Sequence, residues 1–205
     1  MSCCNTPGAV CIFPRLSTAK SVELVRAAKK RGLSVSCDIT GYQSLLDDSQ
    51  LMDFDTNYKV NPPLREKPDK DALIKGLNDG TIDVLCSGHL PQDDECKELE
   101  FDQADFGITS LQTFGPNLTT LSASVDWADL IEKVTTNPRT LLKMEVPVID
   151  IDQKANLTLF DPEAEWTLDG KSNFSKSRNS PWFGKKLKGK AVAVFNNSKS
   201  WLDVQ

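Results

Sequence analysis

The residues that could most readily do chemistry lie around His89, the only histidine of this 205-residue chain. His89 follows the apolar run TIDVLC and precedes the acidic run DDE at 93–95. A histidine and carboxylates at the end of a buried strand are residue types that bind divalent metals or transfer protons. Yet the residue directly before the histidine is Gly88, which has no side chain for either task. The segment SGHLPQDDE therefore suggests a site of this kind, or the remains of one.

The lone histidine also has a structural interpretation. Protein zinc sites use several side-chain ligands, and His89 has no second histidine to share the task. We therefore expect His89 to anchor its loop by a hydrogen bond, and we keep it only as a candidate metal ligand. The DDE run is more typical of an exposed loop than of a metal site.

The bulk composition excludes several function classes. The formal net charge is −5, and nucleic-acid binding depends on clustered basic charge, so we expect no nucleic-acid partner. No apolar run approaches the roughly 20 residues of a membrane span, and the N-terminus lacks a signal-peptide pattern. The cysteines form no Cys-x-x-Cys pair, which favours free thiols in a reducing compartment. We expect a cytoplasmic protein without a membrane partner.

Apolar runs and amphipathic segments alternate over the first 145 residues, which predicts an α/β fold with a parallel sheet. The predicted strands are 9–13, 33–39 and 81–87, and the predicted helices are 18–32, 67–80 and 126–144. Ser17 or Thr18 caps the first helix, and Gly32 and Gly80 follow the ends of the first two. The last predicted helix is split before Pro138.

The pattern changes near residue 146, which predicts a second, smaller unit. Residues 146–168 read as strand with turn residues, and a polar loop follows. The segment LKGKAVAVFNNSKSWL predicts a hairpin that turns at Asn196-Asn197. The chain is therefore divided into domains at 1–145 and 146–205.

Several segments resemble, in the same order, those of the dihydroorotases and related cyclic amidohydrolases. The most specific are NPPLR at 61–65 and the GTIDV run leading into Ser-x-His-x-Pro at 87–91. The resemblance implies a TIM (β/α)8 barrel, of which 1–145 would be the C-terminal part, and a β-sandwich segment at 146–205. It also implies a zinc-dependent hydrolase acting on the cyclic amide of dihydroorotate in pyrimidine synthesis.

Three positions depart from the pattern of active family members. In such proteins an aspartate between the serine and the histidine acts as the base and touches the metal, and here that residue is Gly88. A histidine ligand often precedes the ST helix cap, and here that residue is Arg15, whose guanidinium does not lose its proton to bind zinc. Gln92 stands where many active members have a histidine. We therefore expect no catalytic residue, metal ligand set or cofactor in this chain.

The positions that contact substrate in the family are better kept. By resemblance, Asn61 would hydrogen-bond the substrate ring, and Pro91, Gln92, Phe106 and Gly107 would belong to the loop that closes over it. Asn61 has a second interpretation as the cap of the turn before the two prolines, since asparagine favours such turns.

The resemblance covers only the C-terminal half of such a protein, and this chain has no His-x-His motif. A partial barrel leaves its first strand, 9–13, as an open edge with unpaired backbone groups. We expect a second copy in a homo-oligomer, or a complementary N-terminal half, to cover that edge.

Two main functional hypotheses follow. The first is the C-terminal portion of a dihydroorotase-like hydrolase, which is inactive as a lone chain. Here we favour a truncated sequence of a longer protein over a chain that must bind a partner. The second is a non-catalytic family member that acts as a structural partner, for example of aspartate transcarbamoylase. A weaker third hypothesis is metal-free binding of a pyrimidine-like ligand through Asn61 and the 106–107 loop.

Overall fold

The computed structural model describes residues 10–203 and confirms an α/β fold with two small sheets. The first sheet is parallel, with its strands in chain order. Its strands are β1 (Cys11–Phe13), β2 (Val35–Thr40) and β3 (Val84–Cys86). Residue 9, where the first strand was predicted to begin, lies outside the described residues.

Two 12-residue helices connect these strands, and each ends two residues before its predicted end at Gly32 or Gly80. They are α1 (Ala19–Lys30) and α2 (Lys67–Asn78). The Thr18 side chain caps α1 by accepting from the backbone N–H of Ser21. Gly32 and Gly80, which follow the two helices, both have φ of +73°, a left-handed conformation that glycine adopts without a steric penalty.

Four shorter helices follow β3. They are α3 (Asp94–Lys97), α4 (Phe114–Leu121), α5 (Trp127–Val134) and α6 (Thr136–Leu141). The predicted break before Pro138 is wrong by two residues, because the break falls at Thr135 and Pro138 lies in the first turn of α6. A proline is tolerated there, since the first-turn N–H groups have no partner within the helix. Within residues 10–203, none of the helices combines the length and apolar character needed to cross a membrane.

One hydrophobic core joins the parallel sheet to the helices. Its buried side chains come from β2, β3, α1, α2, α4 and α5, and they include Val22, Cys37, Ile39, Leu73, Leu77, Leu85, Leu121 and Leu130. This core lies on one side of the sheet and fixes the strands, so that their carboxyl ends can carry loops.

The second sheet is antiparallel and lies within the predicted C-terminal domain. Its strands are β4 (Asn156–Thr167), β5 (Lys186–Asn196) and β6 (Lys199–Leu202). The strand predicted from residue 146 begins only at Asn156. The predicted hairpin turn is wrong by one residue: Asn196 pairs with Lys199, and Asn197 and Ser198 form the turn. Asn197 has φ 55°, a conformation that asparagine tolerates better than most residues. The domain boundary at 145/146 stays a prediction.

Candidate functional site

The carboxyl ends of the three parallel strands lie at one edge of the first sheet. Arg15 follows β1, Asp38 lies near the end of β2, and Gly88 and His89 follow β3. The backbone N–H of Arg15 donates to Asp38 Oδ1 at 2.9 Å. Arg15 has φ 52°, in the left-handed region that non-glycine residues rarely adopt. The Asp38 carboxylate therefore holds the chain as it leaves β1.

The Arg15 guanidinium lies against the NPPLR segment. Its Nη1 donates to the carbonyl oxygen of Asn61 at 3.2 Å, and both residues are exposed. A guanidinium offers hydrogen-bond donors and no lone pair for a metal. The structure thus brings together two predicted positions that are 46 residues apart in sequence.

The Gly88 position is closely packed. Gly88 has φ +63°, and a Cβ placed on it would lie 2.6 Å from Tyr42 Cε1 and 2.6 Å from Thr40 Cγ2. Carbon atoms in favourable contact are about 3.5–4.0 Å apart, so a side chain fits only if its neighbours move. Both neighbours are buried, with Tyr42 3% and Thr40 0% exposed. The position implied for the acid–base carboxylate is therefore filled by other side chains.

His89 holds the loop that faces it. Its Nδ1 accepts hydrogen bonds from the backbone N–H groups of Ser110 and Leu111, both at 3.1 Å. His89 also forms a parallel β-bridge with Ile108. With Nδ1 used as an acceptor, hydrogen bonding assigns the proton of the neutral ring to Nε2. Burial lowers the pKa of His89 below its ordinary value of 6.5, so the ring is neutral at pH 7. These contacts agree with the loop-anchoring interpretation.

The loop residues implied by the resemblance lie together. Gln92 Nε2 donates to the carbonyl oxygen of Phe106 at 2.9 Å, and Leu90 N–H donates to the carbonyl oxygen of Ile108. Gly107 has φ +148°, and a Cβ there would lie 2.5 Å from the carbonyl oxygen of Leu90. The close approach of the two backbones therefore requires glycine at 107. Gln92 ties the two halves of the loop together through its amide.

Asn179 is a site residue that sequence reasoning missed. It is 3% exposed, and its Nδ2 donates to the carbonyl oxygens of Leu90 and Gly107, each at 3.2 Å. Its Oδ1 accepts from the backbone N–H of Gln92 and from the Thr109 hydroxyl. The Asn179 side chain therefore joins the segment at 90–92 to the segment at 107–109. It lies in a polar stretch that reads as solvent-exposed, so its local sequence carries no signal of this role.

Two buried lysines hold the same loop from the other side. Lys59 Nζ donates to the carbonyl oxygen of Asp102 at 2.9 Å and lies 4.9 Å from the centre of the Phe106 ring. Lys97 Nζ donates to the carbonyl oxygens of Asp105 and Gly107 at 2.8 and 3.4 Å. Burial, with the nearby charge of Lys59, lowers the pKa of Lys97 from 10.5 to about 8. Sequence reasoning missed both, because lysine is rarely buried and nothing local marks these two.

The thiol of Cys86, in β3, is also part of this edge. Its Sγ donates to the carbonyl oxygen of Ile39 at 3.3 Å and lies 3.6 Å from Asp38 Oδ1. Burial, with the Asp38 carboxylate beside it, raises the pKa of Cys86 to about 12. A reactive cysteine needs an accessible thiolate, so Cys86 stays an unreactive thiol at neutral pH.

The strand-end residues of this chain do not fit a zinc ion. Arg15 cannot ligate, Gly88 has nothing to ligate with, and the Nδ1 of His89 already accepts two hydrogen bonds. The acidic residues at 93–95 are exposed and lie at the start of α3. Over the described part of the chain, 10–203, no three His, Cys, Asp or Glu side chains are grouped as a metal site would need. The zinc implied by the resemblance therefore has no ligand set here.

Curated proteins give the clearest comparison, since no protein-family model matches the chain. A dihydroorotase from Chlorobaculum tepidum is 41% identical over 189 residues, which are 90% of this chain and 43% of that protein. A dihydroorotase from Anaplasma phagocytophilum is 36% identical over 198 residues, which are 96% of this chain and 44% of that protein. The chain therefore spans less than half the length of these relatives.

Solved structures with the same fold are also about twice as long. An L-hydantoinase (dihydropyrimidinase) from Arthrobacter aurescens matches with a TM-score of 0.84 at 22% identity, over 92% of this chain and 44% of that one. The inactive dihydroorotase-like domain of a Chaetomium thermophilum CAD-like multifunctional protein matches with a TM-score of 0.67 at 21% identity, over 92% and 50%. The fold is thus of the amidohydrolase type. With the curated relatives, the chain matches the C-terminal half of the dihydroorotase and cyclic amidohydrolase family.

Proposed function

We propose that this chain is the C-terminal half of a dihydroorotase-like protein and that it has no hydrolytic activity by itself. The observation that carries the proposal is the packing at Gly88, where Tyr42 and Thr40 fill the space that an acid–base carboxylate would need. By resemblance to the dihydroorotases, this is the position at which we expect the base of an active family member.

The chemistry explains why that position matters. Hydrolysis of a cyclic amide requires an activated water, a base that takes its proton, and return of that proton to the leaving nitrogen. Gly88 can neither accept nor return a proton. Arg15 stays protonated, so it can position an anionic or carbonyl group but cannot act as a base. The loop framework at this edge is built by His89, Asn179 and the two buried lysines.

We further propose that the parallel sheet is part of a (β/α)8 barrel and that the antiparallel sheet is part of a β-sandwich, both completed by other chain segments. Among residues 10–203, strand β1 pairs with β2 on one side, and the side chains of Ile12 and Phe13 are each 42% exposed. A closed barrel has no such edge. The matched relatives are about twice as long, which favours a complementary N-terminal half as the partner.

A second exposed surface supports the same partner. A groove runs between α4, α5, α6 and the antiparallel sheet, and most of its lining is apolar. Its side chains include Leu118, Trp127, Ile131, Val146, Phe160 and Trp201. Apolar surfaces of this kind mark protein interfaces. The N-terminal half would cover this groove as well as the β1 edge.

The alternative is a non-catalytic structural partner, for example of aspartate transcarbamoylase. The solved neighbour from Chaetomium thermophilum is an inactive dihydroorotase-like domain of a multifunctional protein. In this chain a buried core packs against the parallel sheet, while the positions that the resemblance assigns to the base and a metal ligand are Gly88 and Arg15. Comigration of the chain with aspartate transcarbamoylase in size-exclusion chromatography would favour this alternative, and separate elution would count against it.

Dihydroorotate hydrolysis with added zinc tests the proposed lack of activity. Three proteins are compared: the chain alone, the intact Chlorobaculum tepidum dihydroorotase as positive control, and a chimera in which this chain replaces its C-terminal half. A fourth, the chimera with both Arg15→His and Gly88→Asp, tests whether restoring these two side chains restores turnover. We expect turnover from the intact control alone. Zinc-dependent turnover by the unmodified chain would disprove the proposed lack of activity, and turnover by the unmodified chimera would disprove that Gly88 prevents catalysis.

A further inference from the structure

Tyr42 lies at the centre of a second hydrophobic core, separate from the core under the sheet. Its buried partners are Val60, Leu64 and Ile108, and partly buried side chains surround them: Leu46, Leu51, Tyr58 and Trp182. These residues come from the loops at the carboxyl ends of the strands and from the C-terminal segment. The edge of the sheet that carries reactive groups in many α/β enzymes is therefore packed with apolar side chains here.

The Tyr42 ring is held in place on several sides. It is 3% exposed, and burial raises the pKa of its phenol, so the ring is neutral. Thr40 lies beside it and donates to Gln43 Oε1 at 2.9 Å, and Gln43 Nε2 donates to the carbonyl oxygen of Pro62 at 3.1 Å. Neither Thr40 nor Tyr42 can turn away without breaking this packing.

The same two side chains define the space at Gly88. A Cβ there would be 2.6 Å from Tyr42 Cε1, 3.0 Å from the Tyr42 hydroxyl and 2.6 Å from Thr40 Cγ2. Carbon atoms in favourable van der Waals contact are about 3.5–4.0 Å apart, so distances this short would be steric clashes. Tyr42 and Gly88 are 46 positions apart, so this relationship is tertiary.

We infer that the packing of Tyr42 and Thr40 excludes any side chain at position 88. A side chain with a carboxylate fits at position 88 only if the Tyr42 ring is also removed. Gly88 is thus required by the packing of its neighbours as well as by its own backbone. This interlock of Tyr42 and Thr40 with Gly88 rests on the same packing that supports the proposed lack of activity. Its test measures stability and not turnover, so failure of the interlock and turnover by the chain are distinguishable results.

A competing explanation is backbone conformation alone, since Gly88 has φ +63° and alanine is strained there. Gly80 provides a matched control. It has φ +73°, and a Cβ placed on it would meet nothing within 4 Å. Gly80→Ala therefore measures the backbone penalty without any clash.

The test is a mutant cycle followed by urea unfolding. Gly88→Ala and Gly80→Ala are each made in the natural chain and in a Thr40→Ser/Tyr42→Leu background. Thr40→Ser removes Cγ2 and keeps the hydroxyl, and Tyr42→Leu removes Cε1 and the phenol oxygen while staying apolar. In the natural chain, we expect Gly88→Ala to lower the urea midpoint by at least about twice as much as Gly80→Ala. In the background, we expect the two losses to become equal.

The outcomes separate the two explanations. Equal losses for Gly88→Ala in both backgrounds would overturn the interlock, because the backbone alone would then account for the glycine. If Gly88→Ala fails to fold in the natural chain, recovery of a cooperative transition in the background supports the interlock. Failure to recover it there, with the background itself folded, overturns the interlock.

Discussion

The Nδ1 atom of His89 lies 3.1 Å from the backbone nitrogen of Ser110 and accepts its hydrogen bond. The only imidazole of the chain is thereby used to hold a loop. A protonated ring cannot accept this bond, since both of its nitrogens are then donors. The stability of the protein should therefore depend on the charge of one residue.

The first prediction concerns this pH dependence. The folded-state pKa of His89 lies below the ordinary 6.5, so the folded protein binds fewer protons between these two values. The free energy of unfolding should be highest above pH 6.5 and fall as the pH drops towards the folded-state pKa. Urea unfolding at several pH values measures this, and NMR of the single imidazole gives the folded-state pKa.

Two variants make that prediction specific. His89→Asn keeps an acceptor near the place of Nδ1 and does not titrate, so the dependence of the free energy of unfolding on pH between 5 and 7 should flatten. Its free energy of unfolding at pH 7 should stay within about 1 kcal/mol of that of the natural chain. His89→Ala removes the acceptor and should lower the free energy of unfolding by about 1–3 kcal/mol at pH 7. An unchanged pH dependence in His89→Asn would assign the effect to other groups.

The second prediction concerns Asn179. Asn179→Ala leaves the carbonyl oxygens of Leu90 and Gly107 without this donor, and we expect a loss of about 2–3 kcal/mol in the free energy of unfolding. Hydrogen exchange at Thr109, whose N–H donates to the Asn179 backbone, should also become faster. Asn173→Ala is the control, because the hydrogen bonds of the Asn173 side chain within residues 10–203 stay in its own loop, to Ser175 and Ser177. An equally large effect there would contradict the assigned role.

The third prediction concerns Lys97 at alkaline pH. Its folded-state pKa is about 8 and its ordinary value is 10.5, so between these values the unfolded chain binds more protons. The contribution of Lys97 to the free energy of unfolding therefore rises from pH 8 to 10.5. Urea unfolding of Lys97→Met should lack this rise, while Lys20→Met, at an exposed ion pair on α1, should keep it. A rise of the same size in Lys97→Met would show that Lys97 is not its source.

The fourth prediction concerns metal content. Because Arg15, Gly88 and His89 do not form a ligand set, we expect elemental analysis of the purified chain to give substoichiometric zinc. His89→Asn should not change that value, since the histidine is engaged with the 110–111 backbone. One zinc per chain, lost in His89→Asn, would refute the assignment of His89 as a structural anchor.

Much of the fold could be predicted because its signals are local. The cap at Thr18, the glycines after α1 and α2, and the apolar periodicity act over a few residues, and the structure follows them. Two of the errors are of a residue or two, whereas the strand predicted from residue 146 begins only at Asn156 and α4 was not predicted. The hairpin turn was predicted at Asn196-Asn197 and lies at Asn197-Ser198, and Pro138 lies in the first turn of α6.

The sequence by itself determined the alternation of strands and helices, the resemblance to the C-terminal half of the dihydroorotase family, and the glycine beside His89. Only the tertiary structure decided what surrounds that glycine. Tyr42 reaches it across 46 positions, and Asn179 reaches Leu90 across 89. Such contacts arise when distant segments pack, and neither periodicity nor spacing encodes them. The family resemblance implies that a carboxylate is absent at position 88, and the packing shows that Tyr42 and Thr40 leave no space there for a side chain.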